Sequence, residues 1–187
     1  MEGPKRTVLL SADVSNSAVM EAINTIIDVN AYDAEQEKKV VGYNREPIRF
    51  TINTFGGCAY SMLALCSAMK ESKTPIHTYG YGCIMSAGLG IFALGHRRFA
   101  DTHSTFMYHG VNYGMWGTFE GHERELNQSK KLQKYYDTII LNNSNLKKKE
   151  LKEAVAKSTY IYLDGEEALA VGLVDELIGE GLKRERV

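Results

Sequence analysis

Apolar and polar positions change period several times along the chain. Residues 6 to 12 (Arg-Thr-Val-Leu-Leu-Ser-Ala) predict a strand, and Ser15, Asn16 and Ser17 then offer N-caps to a helix with apolar residues at 19, 20, 23, 26 and 27. From Asn30 to Pro47 the chain turns polar and charged, which predicts a surface loop or a helical extension. Residues 48 to 54 alternate as a strand, run into Phe55-Gly56-Gly57, and lead to a helix over Tyr60 to Lys70. The next β-like run, Pro75 to Tyr81, ends in the small-residue stretch Gly82-Cys83-Ile84-Met85-Ser86-Ala87-Gly88, followed by the uncharged apolar run Leu89 to Leu94. Ser86 is therefore expected at a strand-to-helix junction, where a hydroxyl sits on a tight turn beside free N–H groups of a first helical turn.

Strand, helix, strand, helix in succession is the pattern of right-handed βαβ units with a largely parallel sheet, in which sites gather at the carboxyl ends of strands. Both glycine junctions should lie at one edge of that sheet. A further strand is predicted near Ser104 to His109, then a glycine- and aromatic-rich segment, 111 to 117, read as an exposed strand or loop. Residues 119 to 142 read as a helix whose first half is almost wholly polar. Its second half stripes Leu132, Tyr135, Tyr136, Ile139 and Ile140, so it should be half buried and half projecting, with the tyrosines in core or subunit interface. A short charged helix follows at 146 to 156, then a helix capped by Asp164 and Glu167 and stopped by Gly172, and a closing strand at 173 to 178.

Composition narrows the classes. At 187 residues, 44% hydrophobic and 24% charged, the chain fits one domain, residues 1–187, able to bury a sizeable core. A formal net charge of −1 gives no field favouring nucleic acid or an anionic membrane. The short basic runs at 147 to 149 and 183 to 186 read as a solvated helix face and a tail. Cys58, Cys66 and Cys83 lack paired spacing, so reduced thiols are expected rather than a disulfide framework or a zinc site. His77, His96, His103 and His122 show no paired metal-ligand spacing. Neither a leader pattern nor a membrane-length apolar run is visible, which places the protein in the cytoplasm as an expectation.

Four motifs carry a resemblance to a known family. "TINTFGGCAYSMLAL" resembles "INSPGGSVYSGLAI"; "PIHTYGYGCIMSAG" fits "PVSTICIGQAASMG" without a gap; "FADTHSTFMYH" fits "FxLPNSRxMIH"; and "LDGEEALAVGLVDEL" is similar to "LSAxEAxEYGLVDxI". All four are motifs of the proteolytic subunit of the Clp protease, within the wider ClpP/crotonase group, and the likeness runs from about Arg6 to Ile178. It implies an α/β fold of ClpP/crotonase-like repeated βαβ units with a largely parallel sheet and a projecting handle helix, the handle region falling at about 111 to 142. It further implies Ser86 as nucleophile, His109 as general base, and the N–H groups of Gly56 and Ala87 as an oxyanion hole. Gly114, Met115 and Trp116 would line a chamber and pair with substrate backbone. Heptameric rings stacked as a tetradecamer are implied, with peptide or unfolded-protein substrates and no cofactor or metal.

The departures are equally specific. The family's triad aspartate stands four residues before the helix N-cap, and Tyr160 occupies that place; Asp164 is itself the N-cap and is the lesser candidate for third member. A phenol can accept a hydrogen bond but cannot supply the charge that stabilises an imidazolium. Phe55 replaces a proline, His109 is followed by Gly-Val rather than Gln-Pro, and the 88 to 99 connection is two residues shorter. The chain opens close to its first strand, which should weaken docking to a AAA+ unfoldase and leaves cleavage either independent of ATP or ATPase-assisted. Three functions follow: a serine endopeptidase working inside an oligomeric chamber, a catalytically silent structural subunit, or a crotonase-type acyl-CoA enzyme. Ser86 and His109 together disfavour the last.

Overall fold

The structure is a computed structural model and describes residues 3–179; the basic run at 183 to 186 lies outside the described residues. Chain order is β1 (Thr7–Leu10), α1 (Asn16–Lys39), β2 (Ile48–Thr54), α2 (Ala59–Glu71), β3 (Ile76–Met85), α3 (Ala87–Phe92) and β4 (Arg97–Asp101). There follow β5 (Thr105–Tyr108), α4 (Phe119–Asn142), α5 (Lys148–Lys157), β6 (Ile161–Leu163), α6 (Gly165–Ala170) and β7 (Glu176–Ile178). Mixed α/β architecture with a mostly parallel sheet is what the alternating periods predicted.

The sheet runs β1-β2-β3-β4-β7, all parallel, and β3 is its longest strand. Strand β3 forks. Its first half, His77 to Gly80, pairs with β4, whereas Cys83 to Met85 pair with β5, which in turn takes β6 antiparallel. The change of partner falls at Gly80–Gly82, where the β2–β3 register also shifts and Gly82 adopts φ +68°. A strand that trades neighbours opens a crevice at its carboxyl end, where open α/β sheets place their ligands. Phe50, Ile52, Ile76 and Ile84 from the central strands, with Val19 and Ile26 of α1, Leu65 of α2 and Phe92 of α3, form the buried core around it.

Four readings are decided at this level. Of the alternatives for 30 to 47, the helical extension holds as far as Lys39, with a loop beyond it. The face α1 buries is Val19, Ala22, Ile26, Val29 and Asp33, while Met20 and Ile27 are exposed. Segment 111 to 117 carries no strand: no neighbouring strand lies alongside it, and Gly114 and Gly117 leave its backbone unconstrained. The closing strand is only Glu176–Ile178, because Leu173 and Val174 are spent as core residues in the turn before it.

Asp33 was hidden from pattern reading, since a carboxylate on a buried helix face breaks the amphipathic period. Burial would raise its carboxyl, but Arg6, Thr74 (2.6 Å) and Tyr43 (2.7 Å) all donate to it and hold it at about 2, below the ordinary 3.8. A depressed carboxylate stabilises the fold above its unfolded value and loses that contribution as pH falls through the folded one. Asp33→Asn should therefore destabilise the protein by about 2 kcal/mol at neutral pH. Urea unfolding of the two proteins should converge as pH is lowered from 4 towards 2.

Candidate active site

Ser86 stands between β3 and α3 with φ 51° and ψ −123°, outside the regions that a side chain prefers. Such strain persists where surrounding bonds over-determine it. Here the Ser86 N–H donates to Met107 O (2.8 Å), the Tyr136 hydroxyl donates to Ser86 O (2.9 Å), and Leu89 N–H donates to the same carbonyl (3.0 Å). Burial pushes the Tyr136 phenol well above its ordinary value, so it stays a donor at any working pH. Pinned in this way, the serine lifts its hydroxyl off a sharp strand-to-helix turn.

His109 follows directly on β5, the strand paired with the end of β3, and its Nε2 lies 2.8 Å from Ser86 Oγ. That is hydrogen-bond reach between a nucleophile and its base. The backbone just beyond is fixed by α4: Val111 N–H donates to Gln133 Oε1 (2.6 Å), while Gln133 Nε2 donates to Tyr108 OH and to Asp137 Oδ1. Tyr108 in turn donates to Asp137 Oδ1 at 2.5 Å and stacks on Tyr136, centroids 5.2 Å apart. One face of α4 thus holds both the serine carbonyl and the chain leaving the histidine. The sequence pattern predicts Tyr136 in core or interface and does not single out Gln133 and Asp137, whose spacing of three and four residues along one helix face is the available signal.

Tyr160 does reach the histidine. Its ring meets the imidazole edge to face, centroids 5.7 Å apart at 85°, with the tyrosine more than half exposed. Among the described residues no carboxylate forms an ion pair with His109. Asp164 caps α6, accepting from Glu167 N–H at 2.8 Å, and is spent in that role.

The glycine junction of β2 and α2 lies against Ser86, so the two glycine turns do share one edge of the sheet. A Cβ on Gly56 would fall 2.6 Å from Ser86 Cβ, and Gly56 has φ +109°. Its N–H, expected as an oxyanion donor, donates to Thr54 Oγ1 at 3.1 Å and is occupied. Gly57 is the alternative. Gly56 O and Cys58 N–H both bond Val14 in a parallel bridge, so by alternation the Gly57 N–H faces away from Val14. Ala87, the other expected donor, is the first residue of α3, where N–H groups have no partner within the helix.

Beside Ser86 opens a cavity of about 470 Å³ lined by residues that include Gly57, Ala87, His109 and those from Gly110 to Tyr113. Gly114, Met115 and Trp116, expected to meet substrate, are not among its lining; Trp116 is fully exposed. Cys58 is. Its thiol is exposed at the N-cap of α2, and hydrogen bonds from Ser61 lower it, whereas burial pushes Cys66 up to about 12. No group of three or more potential metal ligands occurs among the described residues.

The Clp protease family model matches residues 5–181, nearly the whole chain. The chain belongs to the Clp protease family. A curated relative, the ATP-dependent Clp protease proteolytic subunit of Deinococcus radiodurans, is 25% identical over 181 residues, covering 94% of this chain and 81% of that protein. Within this Clp protease fold the chain is therefore a divergent member, and no helix among its described residues is long and apolar enough to cross a membrane.

Proposed function

We propose that this Clp protease family member is a serine endopeptidase in which Ser86 attacks the peptide carbonyl and His109 is the base. The observation carrying the proposal is the 2.8 Å contact between His109 Nε2 and the hydroxyl of Ser86, whose backbone is strained. As the Oγ–carbon bond forms, the hydroxyl proton passes to Nε2 and negative charge develops on the carbonyl oxygen, to be met by the N–H groups of Ala87 and Gly57. His109 then gives its proton to the leaving amine as the C–N bond breaks. Water, activated by the same imidazole, releases the acyl group and restores the serine. Without a carboxylate behind it the imidazolium is poorly stabilised, so turnover should be slow.

Assembly into a chamber belongs to the same proposal, with heptameric rings stacked face to face and segment 111–117, including Gly114, Met115 and Trp116, turned to its interior. Exposed Tyr113, Trp116, Phe119 and Leu126, gathered on that segment and the projecting half of α4, are apolar surface that a lone subunit leaves wet. The substrates would be short or unfolded peptides, with or without a AAA+ unfoldase, in the cytoplasm. The silent-subunit reading draws on the uncharged Tyr160 alone.

A fluorophosphonate probe tests the nucleophile. Peptide mapping should find the adduct on Ser86 between pH 6 and 9, and Ser86→Ala should carry none. An assembled wild-type sample that takes up no probe at Ser86 would leave the silent subunit as the better reading.

A further inference from the structure

The cavity beside Ser86 has a polar feature that acyl transfer does not use. Its inner wall is apolar, made by Met62 of α2 and by Leu132 and Tyr136 of α4. Against that wall Ser129 is 6% exposed, and its Oγ has no hydrogen-bond partner among the described residues. A hydroxyl left unpaired in an apolar pocket is costly, and such a group in a native fold calls for a partner. One helical turn away on the same face of α4 stands the half-buried Glu125, in no ion pair among the described residues. It is the one carboxylate side chain in the lining, which holds no lysine or arginine.

Residues four apart on a helix hold their Cβ atoms about 5–6 Å from each other, so a single ammonium group can bond both side chains. A guest suited to the pocket has an aliphatic stem for the Met62, Leu132 and Tyr136 wall and a cationic donor at its tip. A plain aliphatic side chain would cover Ser129 without bonding it, and an acidic one would face Glu125. We propose that this cavity receives the residue on the amino side of the scissile bond and that Ser129 with Glu125 makes it selective for lysine. The proposal rests on the peptidase reading for its place in the reaction, but its recognition chemistry does not depend on turnover.

Binding is therefore measured on the Ser86→Ala protein, by anisotropy of fluorescein-labelled hexapeptides that differ only in a C-terminal lysine, norleucine or glutamate. The lysine peptide should bind about tenfold or more tighter than norleucine, as charge-assisted hydrogen bonds allow, with glutamate weakest. Ser129→Ala and Glu125→Gln, each added to that background, should cut the preference for lysine by at least about threefold. Norleucine binding as well as lysine, no binding by any of the three, or a preference indifferent to both replacements overturns the assignment. Selective binding by a protein whose wild-type form hydrolyses nothing would keep the pocket and sink the peptidase.

Discussion

Tyr160→Asp is expected to raise hydrolysis of a small fluorogenic peptide, by on the order of 10²-fold and at most about 10⁴-fold, the loss that neutralising the third triad member causes in serine proteases. The phenol now packs edge-on against the His109 ring and supplies no charge. A carboxylate on β6's leading edge, where Tyr160 stands beside the imidazole, would accept from the ring nitrogen that does not face Ser86. It would fix the tautomer whose Nε2 is free to take the serine proton, and it would stabilise the imidazolium that follows. Tyr160 is more than half exposed, so removing its ring should cost little stability. An unchanged or lower kcat/KM in a folded, assembled variant would mean that Tyr160 is not the orienting position.

Gly56→Ala should act in the opposite direction and on two quantities together. The added methyl would need space within 2.6 Å of Ser86 Cβ and 3.0 Å of Met85 O, both on the strained turn, and alanine is also disfavoured at φ +109°. The turn cannot yield without releasing its bonds to Met107 and Tyr136. Either the β2–α2 junction retreats, taking Gly57 with it, or the serine tilts away from His109. Misplacement of about 1 Å costs about 10²-fold in rate, and the backbone strain adds about 1–3 kcal/mol of destabilisation. A thermal melt with kcat/KM on the same sample separates the effects; a variant with wild-type turnover would remove Gly56 from contact with the working serine.

What could be read from the sequence was the part carried by local pattern. The change of period on either side of Ser86 put it at a strand-to-helix turn, and the run ending in His109 put the histidine at a strand end; the parallel sheet then joins them. What could not be read depends on which way a group points. Gly56 and Gly57 are alike as letters, and only the Thr54 hydroxyl bond and the bridge to Val14 separate an occupied N–H from one turned away from Val14. Asp33 looked like part of a polar surface stretch because its partners, Arg6 and Thr74, lie 27 and 41 residues away. Strands β4 and β6 show no strand pattern in the sequence because three of the five residues of Arg97–Asp101 are charged and Ile161–Leu163 spans three residues, too short for a period. Ser129, one polar residue in a polar half-helix, became distinctive only once its hydroxyl proved to be unpaired.

The fork in β3 sets the serine and the histidine on different ribbons. Ser86 ends the trunk that β2 and β4 flank, while His109 ends the side branch of β5, held to the trunk through Cys83, Ile84 and Met85. Slipping β5 by a single residue would carry the imidazole about 3.3 Å along the branch and turn its side chain to the opposite face, leaving the trunk intact. The distance between Oγ and Nε2 is thus a gauge of branch registration, a molecular vernier that reads true only when β5 has zipped onto its proper three rungs.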